Sequence, residues 1–303
     1  MRTWIYHLAC FALLPAALLA ADSGLLGRWN IDVKTPRGRV WWLEITKLPN
    51  GSYGGKFVGA PGGQVAPIEN LKLTGNEAEF AFGKNQYRVK LEGTRLTGSM
   101  TTEGQPALPF TATRAPEIKD QDGPQWKPGK PVELINGRDT SGWRLMVANR
   151  PGWKVEDGLF KNEQGASDII SSAKFWNFEL RAEYRYAAGS NSGIALRGRY
   201  ELQIYDDYGK PPDFHGHGAL YSRIAPSSNA SRAPGEWQTM EARLVGRTLT
   251  VTLNGKKILD RVNVEGPTAM TMDPDEAAPG PIVLQGDHGP IEFRKLTVTP
   301  LIR

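Results

Sequence analysis

Apolar and polar positions alternate in short runs along most of this chain, and Gly, Asn and Pro punctuate the runs. Leu25–Lys34, Val40–Lys47, Ser52–Val58, Ala78–Phe82, Gln86–Leu91, Arg95–Met100 and Phe110–Thr113 all show the period of two that half-buried strands require. Phe178–Tyr186, Gly193–Tyr205, Trp237–Leu244, Leu249–Leu253, Gly280–Gln285 and Ile291–Val298 repeat the pattern further on. Asn254-Gly255 between two such runs is a strong hairpin signal. Few stretches carry a helical period, so the pattern predicts an all-β chain. The stretch Arg114 to Pro131, RAPEIKDQDGPQWKPGKP, is rich in Pro, Gly and charge and has no apolar period. It reads as a linker over 115–130. Before it, 22–114 suits a small antiparallel β-barrel, with a small sandwich as the alternative. After it, 131–303 suits a two-sheet jelly-roll sandwich, one sheet curving into a ligand cleft.

The N-terminus follows a different pattern. Arg2 supplies a positive charge, Leu8 to Leu19 is apolar, and Ala20-Ala21 offers small residues for cleavage. That order predicts a signal peptide over 1–21 and an exported protein, periplasmic or extracellular. The apolar run is short for a membrane span, and no later segment is long and apolar enough. Cys10 is the only cysteine, so removal of the leader leaves no disulfide, thiol nucleophile or thiolate metal site. Hydrophobic residues make up 40% of the chain and charged residues 23%, which excludes wholesale disorder. Lys+Arg 37 against Asp+Glu 32 is a mild excess, scattered singly, so a nucleic-acid reader is excluded as well. Gly27-Arg28-Trp29 is similar to the opening of lipocalin-like barrels, where the Trp plugs one end. The first domain reads as an accessory without chemistry of its own.

Parity locates candidate chemistry in the second. Phe178, Leu180 and Ala182 point one way; Glu179, Arg181 and Glu183 point the other. In the run to Tyr205, Ile194, Leu196, Leu202 and Ile204 share an apolar side, and Arg197, Glu201 and Gln203 share the opposite one if Gly198 makes no bulge. Such faces are either a polar cleft or ordinary solvated surface. Asn191 lies in the small-residue turn Gly189 to Gly193, and Asp206, Asp207, Asp213, His215, His217 and Tyr221 lie in a long loop. His215 and His217 with Asp206 or Asp207 could hold a divalent cation, although His-Gly-His with loose acids is commonly just solvated. His288, in Gln285-Gly286-Asp287-His288-Gly289, could act as acid or base near neutral pH or simply cap a turn.

These residues also carry a resemblance. Glu133-Leu134-Ile135-Asn136-Gly137-Arg138-Asp139-Thr140-Ser141-Gly142-Trp143 resembles the opening motif of the 3-keto-disaccharide (3-keto-glycoside) hydrolase family. The blocks around Trp153, Phe178, Asn191 to Gly198, Tyr200 to Ile204, Gly218 to Tyr221, Pro234 to Trp237 and Leu284-Gln285 follow in order, over roughly Pro131 to Leu301. The resemblance implies a concanavalin-like sandwich and a carbohydrate substrate, a glycoside oxidised at C3. A ketone there acidifies the C2 proton, so a base can open an elimination and hydration route that avoids an oxocarbenium ion. On that reading Glu183 or Glu201 is the base and Arg197, or a cation held by the two histidines, faces the C3 oxygen. Asn191, Gln203, Asp206 and Gln285 bind the sugar, with Tyr221 or His288 as the leaving-group acid. A non-catalytic carbohydrate-binding module is the alternative. A conventional retaining glucanase is not, because Glu201 to Asp207 lacks the Glu-x-Asp-x-x-Glu spacing.

Overall fold

A computed structural model describes residues 24–33, 39–59 and 63–303. The expected signal segment 1–21, with Cys10, lies outside these residues. Among the described residues every regular element is a strand, and no helix is long and apolar enough to cross a membrane.

The first sheet contains β1 (Gly27–Val33), β2 (Arg39–Lys47), β3 (Tyr53–Val58), β4 (Ala66–Pro67), β5 (Glu69–Thr74), β6 (Glu77–Phe82), β7 (Asn85–Glu92), β8 (Arg95–Thr101) and β9 (Leu108–Arg114). Its order is β4-β3-β2-β1-β9-β8-β7-β6-β5, and the Ile68 amide donates to the Gly55 carbonyl at 3.0 Å where the two ends meet. The sheet is therefore a nearly closed barrel. Trp29, Trp41, Phe57, Phe80 and Tyr87 fill it, with Phe80 and Tyr87 stacked 4.9 Å apart. Trp29 is fully buried, and the Arg114 guanidinium lies 4.3 Å from its ring centroid. Inward residues are apolar and outward ones mostly polar, most plainly in β6 and β7, where Ala78, Phe80, Tyr87 and Val89 are buried and Glu77, Glu79, Arg88 and Lys90 are exposed.

The remaining strands form a jelly-roll sandwich. The first few are β10 (Lys127–Pro128), β11 (Val132–Glu133), β12 (Trp143–Leu145), β13 (Trp153–Glu156), β14 (Leu159–Asn162) and β15 (Ile169–Phe175). Then come β16 (Phe178–Tyr186), β17 (Asn191–Leu196), β18 (Tyr200–Tyr205), β19 (Gln238–Val245), β20 (Thr248–Leu253), β21 (Lys256–Asn263), β22 (Gly280–Leu284) and β23 (Ile291–Ile302). One sheet runs β13-β14-β23-β16-β19-β20-β21, with β10 and β11 pairing along β23; the other runs β12-β15-β22-β17-β18. The main core lies between them, where Phe178, Leu180, Ala182 and Tyr184 of β16 face Ile194, Leu196, Leu202 and Ile204 of β17 and β18.

One departure from the sequence reading matters. Gly193–Tyr205, read as one strand, is a hairpin: Leu196 pairs with Tyr200, and Arg197 and Gly198 turn with φ of 52° and 64°. Within the expected linker, two carboxylates are bonded to the sandwich. Asp120 accepts hydrogen bonds from Trp176 and Asn177 (both 2.8 Å), and Asp122 is bonded by Arg243 and Arg261.

Barrel and sandwich meet on a buried carboxyl. Glu276 receives Asn30 and Arg28 from β1, together with Tyr200 and Arg247 from the sandwich. Burial alone would raise its pKa. The Arg247 hydrogen bond and the nearby arginine charges outweigh that, so the carboxyl is held below its ordinary range.

Candidate active site

The hairpin decides which side chains share a face. Glu201 and Gln203 of β18 stand opposite Ala195 and Gly193 of β17, and the β17–β22 register brings Val283 and then Gln285 onto the same side. This is the outer face of the five-stranded sheet, yet Glu201, Gln203, Ala195 and Val283 are all buried. The roof is the Thr268–Thr271 segment. Thr268 Oγ1 accepts from the Glu201 amide at 2.8 Å, and Met270 packs with Ile170, Ala195 and Val283 in a small apolar cluster. Glu201 thus sits in greasy surroundings. Desolvation pushes its pKa up to about 8, the negative charges of Asp168 and Asp287 add to the rise, and a hydrogen bond from the Met270 backbone opposes it.

Three oxygens at this face have no hydrogen-bond partner although they are buried: Glu201 Oε2, Gln203 Oε1 and Gln285 Oε1. All three are acceptors as placed. A group rich in hydroxyl donors is what would complete them, since a buried acceptor left unpaired costs about 1–3 kcal/mol. Gln203 Nε2 donates to Asn191 Oδ1 at 3.2 Å, which turns the Gln203 oxygen away from that strand. Tyr221 stands beside the face on a segment laid along β18: the Tyr221 amide donates to the Glu201 carbonyl, and the Gln203 amide to Ala219. Burial and the Glu201 charge raise the Tyr221 pKa, so its hydroxyl keeps its proton at neutral pH.

The opposite rim is the 286–290 loop. Asn162 fixes it by donating to the carbonyls of Gly286 and Gly289 and accepting from the Ile291 amide. His288 lies half-exposed on this loop, hydrogen-bonded to Asp287. Asp168, at the head of β15, accepts from the Gly286 amide at 3.0 Å; burial raises its pKa. Asp168, Met270 and Gly193 were not singled out from the sequence. Gly193 alone carried a usable signal, a residue without a side chain facing Glu201. A Cβ at Gly193 would stand 2.7 Å from Glu201 Oε1 and 3.2 Å from the Met270 sulfur, so Gly193→Ala must displace the carboxyl. Steady-state kinetics on a 3-keto-glucoside should show kcat reduced about 10²-fold with the fold intact by circular dichroism; an unchanged kcat would detach Glu201 from the chemistry.

Other expected site residues lie elsewhere. Glu183 is on the outer face of the opposite sheet, between Arg181 and Arg294 at 2.9 and 2.8 Å. Burial would raise its pKa, but these arginines lower it. Arg197 is fully buried because the hairpin turns it inward. It donates to the Trp176 carbonyl (2.6 Å), the Gly246 carbonyl (2.9 Å) and Asn177 Oδ1 (3.1 Å), and its guanidinium lies 4.0 Å from the Trp176 ring centroid. Fully buried and held by the Trp176 and Gly246 carbonyls and Asn177, Arg197 does not face the Glu201 side of the sheet. Asp206 caps the turn before β17, accepting from the Gly189 amide at 2.7 Å.

The two loop histidines do not converge. His217 is fully buried, with Nε2 on the Tyr184 hydroxyl (2.5 Å) and Nδ1 on Ser231 (2.9 Å), and burial lowers its pKa to about 3. His215 Nε2 is bonded to Ser222 Oγ at 2.7 Å. Among the described residues no set of three or more His, Cys, Asp or Glu side chains is arranged around a metal position.

The second domain is a jelly-roll sandwich with a cluster of buried polar side chains on the outer face of one sheet. It is similar to a crystal structure from Parabacteroides distasonis assigned as a glycosyl hydrolase, 27% identical with a TM-score of 0.50, the match covering 61% of this chain and 94% of that one. The chain belongs to the 3-keto-alpha-glucoside-1,2-lyase-like domain family, whose model matches residues 130–299. A 3-keto-disaccharide hydrolase of Bacteroides thetaiotaomicron is 35% identical over 74 residues, a match covering 21% of this chain and 26% of that relative.

Proposed function

We propose that this protein cleaves glycosides whose sugar carries a ketone at C3, with Glu201 as the base. The observation that carries the proposal is the unpartnered Glu201 Oε2, buried beside two unpartnered glutamine oxygens. In the first step Glu201 takes the C2 proton and the electron pair enters the ring as an enediolate, with His288 facing the C3 oxygen. That charge returns to expel the aglycone from C1 as Tyr221 protonates the departing oxygen. Water then adds at C1, giving its proton to the Tyr221 oxygen, while protonated Glu201 returns a proton to C2. Both groups end as they began, and the net change is hydrolysis. Asn191, Gln203 and Gln285 hold the sugar hydroxyls. On the reading of 1–21 as an export leader, the sugar is met in the periplasm or outside the cell.

A base with a pKa near the working pH transfers protons efficiently. Its ionised fraction at pH 7 is about a tenth for a pKa about 8, so exchange of the C2 proton of a methyl 3-keto-glucoside should rise about fivefold between pH 7 and 8 and level off above. Proton NMR in deuterated water reads this directly. Binding without any C2 exchange would instead mark a sugar-binding module.

A further inference from the structure

Outward positions of a barrel strand normally meet water, but two on β1 and β2 do not. Asn30 alternates with the core residues Trp29 and Ile31, and Trp42 with Trp41 and Leu43. Yet each is 1% exposed, and the two stand side by side in the β1–β2 register. Against them lies the 264–279 loop, which joins β21 to β22 and supplies the Thr268–Thr271 roof over Glu201. The loop is attached to the barrel on both sides of that roof. Ahead of it, a Cβ on Gly266 would stand 2.9 Å from Trp42 Nε1, and Arg223 donates to the carbonyls of Pro267 and of Gly63 in the barrel, both at 2.8 Å. Behind it, Asn30 donates to the Pro274 carbonyl at 2.9 Å, and Arg28 and Asn30 bond Glu276. On its other side the loop rests on the β17–β18 hairpin, where the amides of Thr268 and Met272 donate to the carbonyls of Arg199 and Gly198, both at 2.9 Å. A segment with no strand or helix of its own keeps one position through anchors such as these.

We propose that the N-terminal barrel braces the reaction: it seats the 264–279 loop on Glu201, and Asn30, Trp42 and Arg223 are positioning residues for that base. The inference rests on the reading of Glu201 above, and these residues act through the loop rather than by touching substrate. The loop influences Glu201 in two opposed ways. It excludes water, which raises the carboxyl's pKa, and the Met270 backbone hydrogen bond lowers it; exclusion is the larger. Asp168 and Asp287, whose charges add to the rise, and Tyr221 belong to other segments. A loop lifted from its barrel seat therefore admits water to Glu201, and the pKa falls toward the ordinary carboxylate value.

The test follows exchange of the C2 proton of methyl 3-keto-glucoside against pH for the full chain and four variants, each assayed below its melting temperature. Trp42→Ala removes the loop's seat, and Gly266→Ala drives a methyl group against Trp42. Both should move the midpoint of the exchange profile about one pH unit toward acid and slow its plateau about tenfold. Trp42→Phe keeps a ring under the loop and should retain the parent's midpoint. Leu96→Ala, inside the barrel core, lowers stability without touching the loop and should retain it too. Parent-like midpoints in both Trp42→Ala and Gly266→Ala overturn the brace alone, as does an equal shift in Leu96→Ala. Exchange missing from the parent overturns the reading of Glu201 and this inference with it.

Discussion

Glu201→Gln lowers kcat for 3-keto-glucoside cleavage by about 10³-fold or more and leaves KM within a few-fold. The amide keeps the shape and the acceptor oxygen of the carboxyl but cannot take the C2 proton. The variant should fold at least as well as the parent, because the native pKa of Glu201 is raised and the wild-type chain must hold a proton there or bury a charge. For a carboxyl shifted upward, folding is penalised progressively as pH climbs from the ordinary carboxylate range toward about 8, and the Gln variant escapes that penalty. Its melting temperature should therefore exceed the parent's most clearly at alkaline pH. Glu183→Gln is the control, with cleavage within about twofold of the parent, since Glu183 faces solvent-side arginines on the other sheet. Single-turnover rates near wild type for Glu201→Gln would end the assignment.

The second large effect is on stability. Glu276→Ala should cost about 3–5 kcal/mol, measured as a shift of the urea midpoint, because it strands Arg28 and Arg247 in the junction with their counter-charge gone. The carboxyl's pKa is depressed in the folded chain. Its contribution is therefore complete above the ordinary carboxylate pKa and is lost as acid protonates it below that value. Parent and variant stabilities should accordingly converge on acidification. A midpoint shift worth less than about 1 kcal/mol would show that the junction is held by other contacts.

Much of this architecture is legible in the residue pattern. Period-two runs locate β1–β3, β6–β9, β16, β19, β20 and β23, because each largely buries one face and leaves the other polar. β22 shows as a short apolar run because it is buried on both faces, while β4 and β5 carry no run of their own. Glu201 and Gln203 are legible because they alternate with Tyr200, Leu202 and Ile204, although this strand too is buried on both faces. Parity fails where the information is non-local. It assigns Glu183 to a polar face correctly but cannot say that β16 pairs with β19 and β23, which puts that face on the opposite side of the sandwich. Arg197 misleads because a non-glycine residue at positive φ is uncommon, and its turn reverses the chain without a Pro or Asn signal. Asp168 is hidden because β15 begins with Ile169, Ile170 and Ser171 all buried, so no alternation marks it.

The segment that carries Tyr221 has one further effect. β18 is the last strand of its sheet, and an unpaired outermost strand is where molecules of a β-protein most readily zip together into aggregates. Here the amides of Gly218 and Tyr221 already occupy the carbonyls of Gln203 and Glu201. The segment that sets Tyr221 beside the Glu201 face also closes that border to a neighbouring molecule, so loosening it would put colloidal stability at risk.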